Sequence, residues 1–425
     1  MSRIGMSQTI STSLSHGRIL NHETNTSYYA QFVHQQNMLQ DHVRTSLYQN
    51  AIVANGDAMF KDRLVMDVGA GSGILSYFAV QSGAAKVYAI EASGMATKIQ
   101  KMVSAASANP PKNAFLKDKL VVVHSKVEEA QALPRVDTIV SEPIGVLLLH
   151  ERMVESFIFA RDAFLKPGGN MMPNSGTIFL APFTDAVLWT QTMAKVRFWE
   201  QTEFFGVDFS PLKRDAMDEV FGQPIVGNFD HRVLMASSVS HHVDFLTCSM
   251  DDLKDIVIPI MWTPSFTGIV HGVAGWFDID LCGIILSTAP NAERTHWQQV
   301  RFVLKEPLAV NAFETVKGWF RMTVNSQRSY DVVVELNVGD APLTNPHSGA
   351  WVNGSSMDCG EDELSDMRTR RGKWALQEQT YWYTNDALGP EYSKPEFMSM
   401  YPSPFAESSM LPDVPPVAMG NATNI

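Results

Sequence analysis

The spacing of apolar residues changes several times along the chain, and each change predicts an element. Between about Tyr28 and Asn55, Phe32, Leu39, Val43, Leu47 and Ala51 recur at helical spacing, which predicts one or two helices. The period then shortens. RLVMDV (63–68), KVYAIE (86–91), KLVVVH (119–124) and VDTIVS (136–141) read as strands. Helical patterns begin near Gly73, cover 94–107 and run from about Glu151 to Leu165. Strands alternating with helices predict a doubly wound parallel sheet. KPGGNMMP (166–173) breaks that rhythm, and from about 174 to 340 the texture becomes short β runs: TIFLAPF, VDFLTC, DIVIPIMW, QVRFVL and YDVVVELNV. Helix is expected there only near 185–220, so this half predicts an all-β sandwich or barrel.

The ends differ from the middle. Residues 1–26 are rich in Ser, Thr, Asn and His, and 343–425 in Pro, Ser, Asn, Gly and Met, so both are expected to be mostly disordered tails. Within the second, TRRGKWALQEQTYWYT is a candidate short ordered or docking piece, and its RTRR (368–371) reads as solvated charge. The expected domains are 27–172 and 173–342.

Charge and cysteine count narrow the function. The 425 residues hold 33 Lys plus Arg against 45 Asp plus Glu, a net charge of −12. That disfavours a grip on a phosphate backbone, so no direct nucleic-acid partner is expected. An acidic surface instead gathers cationic substrates. Cys248, Cys282 and Cys359 are far apart with no CxxC spacing, so neither a zinc site nor a disulfide framework is indicated and no metal is expected. A reducing compartment, nucleus or cytoplasm, follows. No apolar run is long enough to span a bilayer, so no membrane partner is expected.

The candidate chemistry begins at VMDVGAGSGILS (65–76), where the first strand meets the first helix. Gly69, Gly71 and Gly73 permit a sharp turn and close approach to a ligand. The third glycine of a dinucleotide fingerprint is missing, because Ile74 stands there. Asp67 precedes the turn, and Glu91 ends the next strand, placed to accept hydrogen bonds from a ribose diol. This combination suits S-adenosylmethionine (SAM), which has no pyrophosphate to cradle.

SEPIGVLLLHE (141–151) poses the sharper question, since it is apolar except for a carboxylate near each end. Glu142 closes the fourth strand, at the edge where such sheets bind ligands. Glu151 lies near the next helix start. Singly, Glu142 reads as well as a surface charge at a strand end as it does as a functional group, and Glu151 as well as a helix-start residue. Together, beside a SAM site, they make a receptor for a planar guanidinium, which donates to two carboxylates at once.

With these residues in view, the chain resembles a type I protein arginine methyltransferase. SEPIGVLLLHERM is similar to that family's double-glutamate loop, and its Ser-Glu-Pro start resembles the coactivator-associated branch. QQNMLQDHVRT (35–45), DVGAGSGILS, SKVEEA (125–130), LAPFTD (180–185), GVDFSPL (206–212) and STAPNAERTHW (287–297) follow in that branch's order. The likeness covers roughly 27–340 and neither tail. It implies a Rossmann-like SAM-binding domain, then a β-barrel domain with an inserted helical dimerisation arm at about 185–220, and a homodimer. The arm would offer Phe198, Trp199, Phe204 and Phe205.

The same resemblance implies roles residue by residue. Gln35 and Arg44 would hold the methionine end of SAM, Arg44 by pairing with its carboxylate. Gly69 and Gly71 would lie under the cofactor, Val127 and Glu128 would meet the adenine, and Met153 and Ser156 would line the pocket. Met38 would lie near the methyl acceptor. His296 would reach the pocket from the β domain and pair with Asp41. Substrates would be arginine-bearing proteins such as histone tails and RNA-binding proteins, giving monomethyl and asymmetric dimethylarginine. The chain departs from the family at Asn25 and Thr26, where an aromatic pair is usual, at Val146, where an aromatic is common, and between GWFDID and STAP, where a hairpin is expected to be trimmed. The rival readings are a SAM-dependent enzyme acting on a small molecule, a non-catalytic scaffold of the same fold, and an arginine methyltransferase giving symmetric product.

Overall fold

Asp41 divides the N-terminal amphipathic stretch into two helices, α1 (Phe32–Gln40) and α2 (His42–Ala54). Its carboxylate caps the second by accepting from the Arg44 backbone N–H at 3.0 Å. The computed structural model describes residues 29–339, 342–347 and 368–381. The expectations for 1–26, including Asn25 and Thr26, and for most of the second tail lie outside the described residues.

The first domain alternates as its pattern predicts: β1 (Leu64–Val68), α3 (Ile74–Gln81), β2 (Lys86–Ile90), α4 (Met95–Ala105), β3 (Leu120–Val123), β4 (Val136–Ser141), α5 (Met153–Phe164) and β5 (Leu165–Met172). The sheet order is β3-β2-β1-β4-β5, and every pair is parallel. The order reverses between β1 and β4, so a crevice opens outside their carboxyl ends.

KPGGNMMP, expected to break the rhythm, is most of that fifth strand. Pro-Gly-Gly disguises it because the strand bulges there: Val136 pairs with Leu165, and then Thr138 with Asn170. Gly168 adopts φ 73°, and a Cβ on Gly169 would lie 2.9 Å from the Asp137 carbonyl. The helix expected from Glu151 begins as a 3-10 turn, His150–Arg152, before α5.

The β domain runs β6 (Ser175–Phe183), α6 (Ala186–Arg197), α7 (Lys213–Phe221), β7 (Ile225–Val226), β8 (Val239–Asp244), β9 (Asp255–Trp262), β10 (Gly268–Asp280), β11 (Ile285–Ser287), β12 (Val300–Val310), β13 (Val316–Val324), β14 (Tyr330–Val338), β15 (Thr369–Ala375) and β16 (Thr380–Tyr381). One sheet is ordered β16-β7-β12-β10-β6-β8 with β11 on β10, and the other β15-β14-β13-β9. The sheets meet where β8 lies beside β9 and β12 beside β15, giving a barrel-like enclosure. β10 and β11 form a tight hairpin through Cys282 and Gly283, at φ 57° and 99°.

The domain does not stop at 342. Thr369–Ala375 pairs antiparallel with β14 along its length. The RTRR charge is not simply solvated, because Arg371 Nε donates to the buried Glu335 carboxylate at 2.9 Å and Arg370 Nε to the Pro307 carbonyl at 3.1 Å. Trp374, 1% exposed, packs edge-on against Phe302 with ring centres 5.4 Å apart.

A single apolar cluster joins the halves. It passes from Val65 and Ile139 of the parallel sheet through Leu147 and Leu148 to Val273, Phe302 and Phe320 of the β domain.

Candidate active site

The glycine turn after β1 is held from both sides. Asp67 Oδ2 accepts from the Ser76 backbone N–H at 3.0 Å and its hydroxyl at 2.7 Å, tying β1 to α3. Burial pushes the Asp67 carboxyl up to about 7, against those hydrogen bonds. Glu91 accepts from the Gly71 N–H at 2.7 Å with one oxygen and from the Ser93 N–H at 2.7 Å with the other. Gly71 sits at φ 55°, and a Cβ there would lie 3.0 Å from Gln35 Oε1. Gln35 is buried, with its Nε2 donating to the Tyr29 carbonyl at 2.9 Å. Gly73, at φ 85°, leaves no room for a side chain against the Tyr77 ring.

Of the other expected residues, Met153 reaches this turn, and Ser156 and Glu128 pair with each other. Met153 Cε would lie 3.5 Å from a Cβ on Gly69. Ser156 Oγ donates to Glu128 Oε1 at 2.6 Å, beside the buried Val127. The cradle fits a nucleoside-bearing ligand: a bare glycine surface, a buried carboxylate whose oxygens keep accepting capacity beyond one N–H each, and an apolar flank.

The loop after β4 explains its own composition. Leu147, Leu148 and Leu149 are 2%, 0% and 1% exposed. Leu147 fills the space that a Cβ on Gly275 would take, and Leu148 the space above Gly176, each at 2.7 Å. Burying each leucine contributes about 1.5–3 kcal/mol. The apolar middle therefore plugs into the β domain, and the two carboxylates stay at its ends. The geometry is achieved with strain, because Leu147, Leu148, Glu151 and Arg152 all have positive φ, between 52° and 71°.

Each carboxylate has a distinct environment. Glu142 Oε2 accepts from Arg44 Nη2 at 2.6 Å and Nε at 3.0 Å, while Oε1 accepts from the Ile144 N–H at 3.2 Å. Arg44, expected to face a ligand carboxylate, thus spends two donors on Glu142 and a third on the Met38 carbonyl at 3.2 Å. Of a guanidinium's five N–H groups, two remain for a ligand. Glu151 accepts from the Tyr29 hydroxyl at 2.8 and 2.9 Å. Burial pushes its carboxyl up to about 7; Tyr29 opposes that rise, the nearby Glu142 charge adds to it, and Arg328 opposes it.

Asp41 and His296, 255 positions apart, meet as expected. Asp41 Oδ2 accepts from His296 Nδ1 at 2.7 Å and from its backbone N–H at 2.9 Å. Burial raises the Asp41 pKa, but the contacts with His296 and Arg44 outweigh it and the net direction is down. The adjacent Trp297 donates to the Ile144 carbonyl at 3.0 Å, tying this segment to the acidic loop. Met38 is half-buried on α1, one helix turn before that pair.

Sequence reasoning missed Tyr29 as a partner of Glu151, although its position beside Tyr28 was visible. It also missed Trp297, and a contact of Arg328 with the Glu151 carbonyl at 3.3 Å. Nothing in the run NSQRSY pointed across 177 positions.

Known proteins resemble the chain over the same stretch. Residues 174–341 match the family "Arginine methyltransferase oligomerization subdomain", and 41–177 match "Ribosomal protein L11 methyltransferase (PrmA)". Histone-arginine methyltransferase CARMER of Drosophila persimilis is 45% identical over 324 residues, 74% of this chain and 59% of that protein. The CARMER of Drosophila willistoni gives the same figures. The chain thus spans less than two thirds of the length of these curated relatives. Among solved structures, a Trypanosoma brucei PRMT1 enzyme–prozyme heterotetrameric complex with AdoHcy is 28% identical with a TM-score of 0.64, over 74% of this chain and 95% of that one. Arabidopsis thaliana protein arginine methyltransferase 10 is 28% identical with a TM-score of 0.65, over the same shares. Fold, acidic loop and relatives point one way: over about three quarters of its length the chain is similar to protein arginine methyltransferases, the CARMER histone-arginine methyltransferases among them.

Proposed function

We propose that the chain is a SAM-dependent protein arginine N-methyltransferase of type I, forming monomethyl and asymmetric dimethylarginine. One observation carries the reading: Glu142, held by Arg44, and Glu151, held by Tyr29, stand at opposite ends of one loop whose leucines are buried. A small neutral acceptor has no need of two half-buried acids, whereas a guanidinium donates to both.

SAM, when bound, supplies an electrophilic methyl group. Glu91 would accept from its ribose diol, Val127 and Glu128 would flank its adenine, and Gln35, Gly69, Gly71, Met153 and Ser156 would line its place. The two remaining donors of Arg44 would take its carboxylate, so Arg44 would bridge cofactor and Glu142. Glu142 and Glu151 would draw the positive charge of the substrate toward one nitrogen and fix the other in line for attack, where much of the barrier reduction arises. Glu151, titrating near neutrality, would receive the proton released after transfer, with the Asp41–His296 pair as a second acceptor. Met38 would crowd the acceptor nitrogen and limit how methyl groups are added.

The partners we infer are arginine-bearing proteins, histone tails and RNA-binding proteins among them, in the nucleus and cytoplasm. The net charge of −12 suits basic substrates. We further infer a homodimer through the helical arm. Phe198, Trp199, Phe204 and Phe205 stack edge to face there, and Phe205 is 93% exposed. Sedimentation of Phe205→Asp should show the dimer weakened; an unchanged dimer would contradict that interface.

The activity is tested with labelled SAM, histone and RNA-binding-protein peptides and small amines, resolving methylarginine isomers by mass spectrometry. Monomethyl and asymmetric dimethylarginine are expected. Label in the small amines alone, symmetric product, or no label at all would each refute the proposal.

A further inference from the structure

The turn between β13 and β14 belongs to the β domain, yet it grips consecutive residues at the far end of the acidic loop. Ser329 Oγ lies 2.8 Å from His150 Nδ1. Arg328 Nη2 donates to the Glu151 carbonyl at 3.3 Å and lies 3.8 Å from Met153 Sδ. Arg152 Nη1 donates back to the Asn325 carbonyl at 3.4 Å. The turn is braced in its own right: Asn325 Oδ1 accepts from the Gln327 and Ser329 N–H groups at 3.0 and 3.2 Å.

These contacts fall where the backbone needs support. Glu151 and Arg152 adopt φ 71° and 55°. A left-handed non-glycine residue costs about 1–3 kcal/mol and persists only where its surroundings over-determine it. Arg328 itself has φ 54°, and its Nε is buried without a hydrogen-bond partner among the described residues. A guanidinium held with one donor unsatisfied is placed for something other than its own hydrogen bonding.

We propose that Arg328 is a positioning residue, which fixes the left-handed backbone at Glu151 from the β domain and so sets where that carboxylate meets the substrate guanidinium. The catalytic consequence rests on the methyltransferase reading, but the effect on Glu151 does not. Three groups act on the Glu151 carboxylate: the Tyr29 hydroxyl by hydrogen bonds from the N-terminal segment, the charge of Glu142, itself paired with Arg44, from the other end of the loop, and the charge of Arg328 from the β13–β14 turn. Burial and Glu142 push its pKa up, while Tyr29 and Arg328 push it down. Removing the Arg328 charge must therefore raise the pKa further. An Arg328 whose charge did not reach the Glu151 carboxylate would leave it unchanged.

The test uses the full chain labelled with carboxyl-13C glutamate, the Glu151 signal being assigned by its loss in Glu151→Gln. In Arg328→Ala the Glu151 pKa should rise by about 0.5–1 pH unit, and in Arg328→Lys it should return close to the wild-type value. Arg328→Gln, neutral but able to donate, serves if the alanine variant does not fold, and should show the same rise. With an arginine peptide, the acid limb of the rate profile should follow the NMR titration. The turnover number should fall roughly 10–100-fold in the alanine variant, with the Kd for SAM within about twofold. A Glu151 titration that does not move in either neutral variant overturns the inference at any level of activity, and so does an unchanged turnover number in an active enzyme. Failure of the wild type to methylate arginine would refute the proposed activity alone, and the NMR titration would still decide the effect on Glu151.

Discussion

The two halves of the molecule build the site in different ways. The parallel sheet supplies its residues by topology. Gly69 and Gly71 follow β1, Glu91 follows β2, Val127 and Glu128 follow β3, and Glu142 follows β4, all at the carboxyl edge of one sheet. The β domain supplies single residues by docking: His296 and Trp297 from the segment before β12, Arg328 and Ser329 from the β13–β14 turn. The acidic loop serves both halves, its leucines buried against β-domain glycines and its carboxylates held at its two ends by Arg44 and Tyr29. A site assembled this way depends on the packing of the second domain as much as on the chemistry of the first.

The largest expected effect tests that dependence. Trp374→Ala removes a fully buried ring from a strand beyond residue 342, and should lower stability by about 3–5 kcal/mol in denaturant unfolding. An unchanged midpoint would mean that 369–381 is not part of the β domain. On the sheet side, Glu142→Gln should cut the turnover number roughly 10²–10³-fold, the scale of losing one electrostatic stabiliser. Near wild-type turnover on peptide would break the clamp. Arg44→Ala should come next, raising the Kd for SAM roughly 10–100-fold by calorimetry, as expected for losing a charge-assisted hydrogen bond. Unchanged binding would restrict Arg44 to its Glu142 pair.

The smallest effect is a pH dependence. Burial raises the Glu151 pKa to about 7 in the free protein, so its carboxylate form grows as pH rises through that value. kcat/KM, which reports the free enzyme, should climb along the same limb. Glu151→Gln should abolish that limb; a limb that survives would assign the titration elsewhere.

Legibility in the sequence follows the same division. Four strands of the parallel sheet announced themselves as β-branched runs. The fifth did not, because Pro-Gly-Gly at its bulge imitates a turn. β15 lies in a stretch whose Pro, Ser, Asn, Gly and Met content predicts a tail, with TRRGKWALQEQTYWYT as a candidate ordered piece; its RTRR charge reads as solvated, but an edge strand can place such charge on its partner, here Arg371 on Glu335. The carboxylates were legible since they flank a local apolar run. The Asp41–His296 pair was expected only through family likeness, and Arg328 not at all, since contacts across 177 and 255 positions leave no periodic trace. The use of Arg44 on Glu142 was also hidden, because a donor count does not say which acceptor is nearer.

The central claim is that two acids hold a flat cation against a methyl donor. It is tested most directly by single-turnover transfer from labelled SAM to matched peptides carrying arginine, lysine or citrulline at one position. Label is predicted in the arginine peptide alone, reduced by roughly 10²-fold or more in Glu142→Gln. Equal label in the citrulline peptide, which has the shape without the charge, would contradict the account.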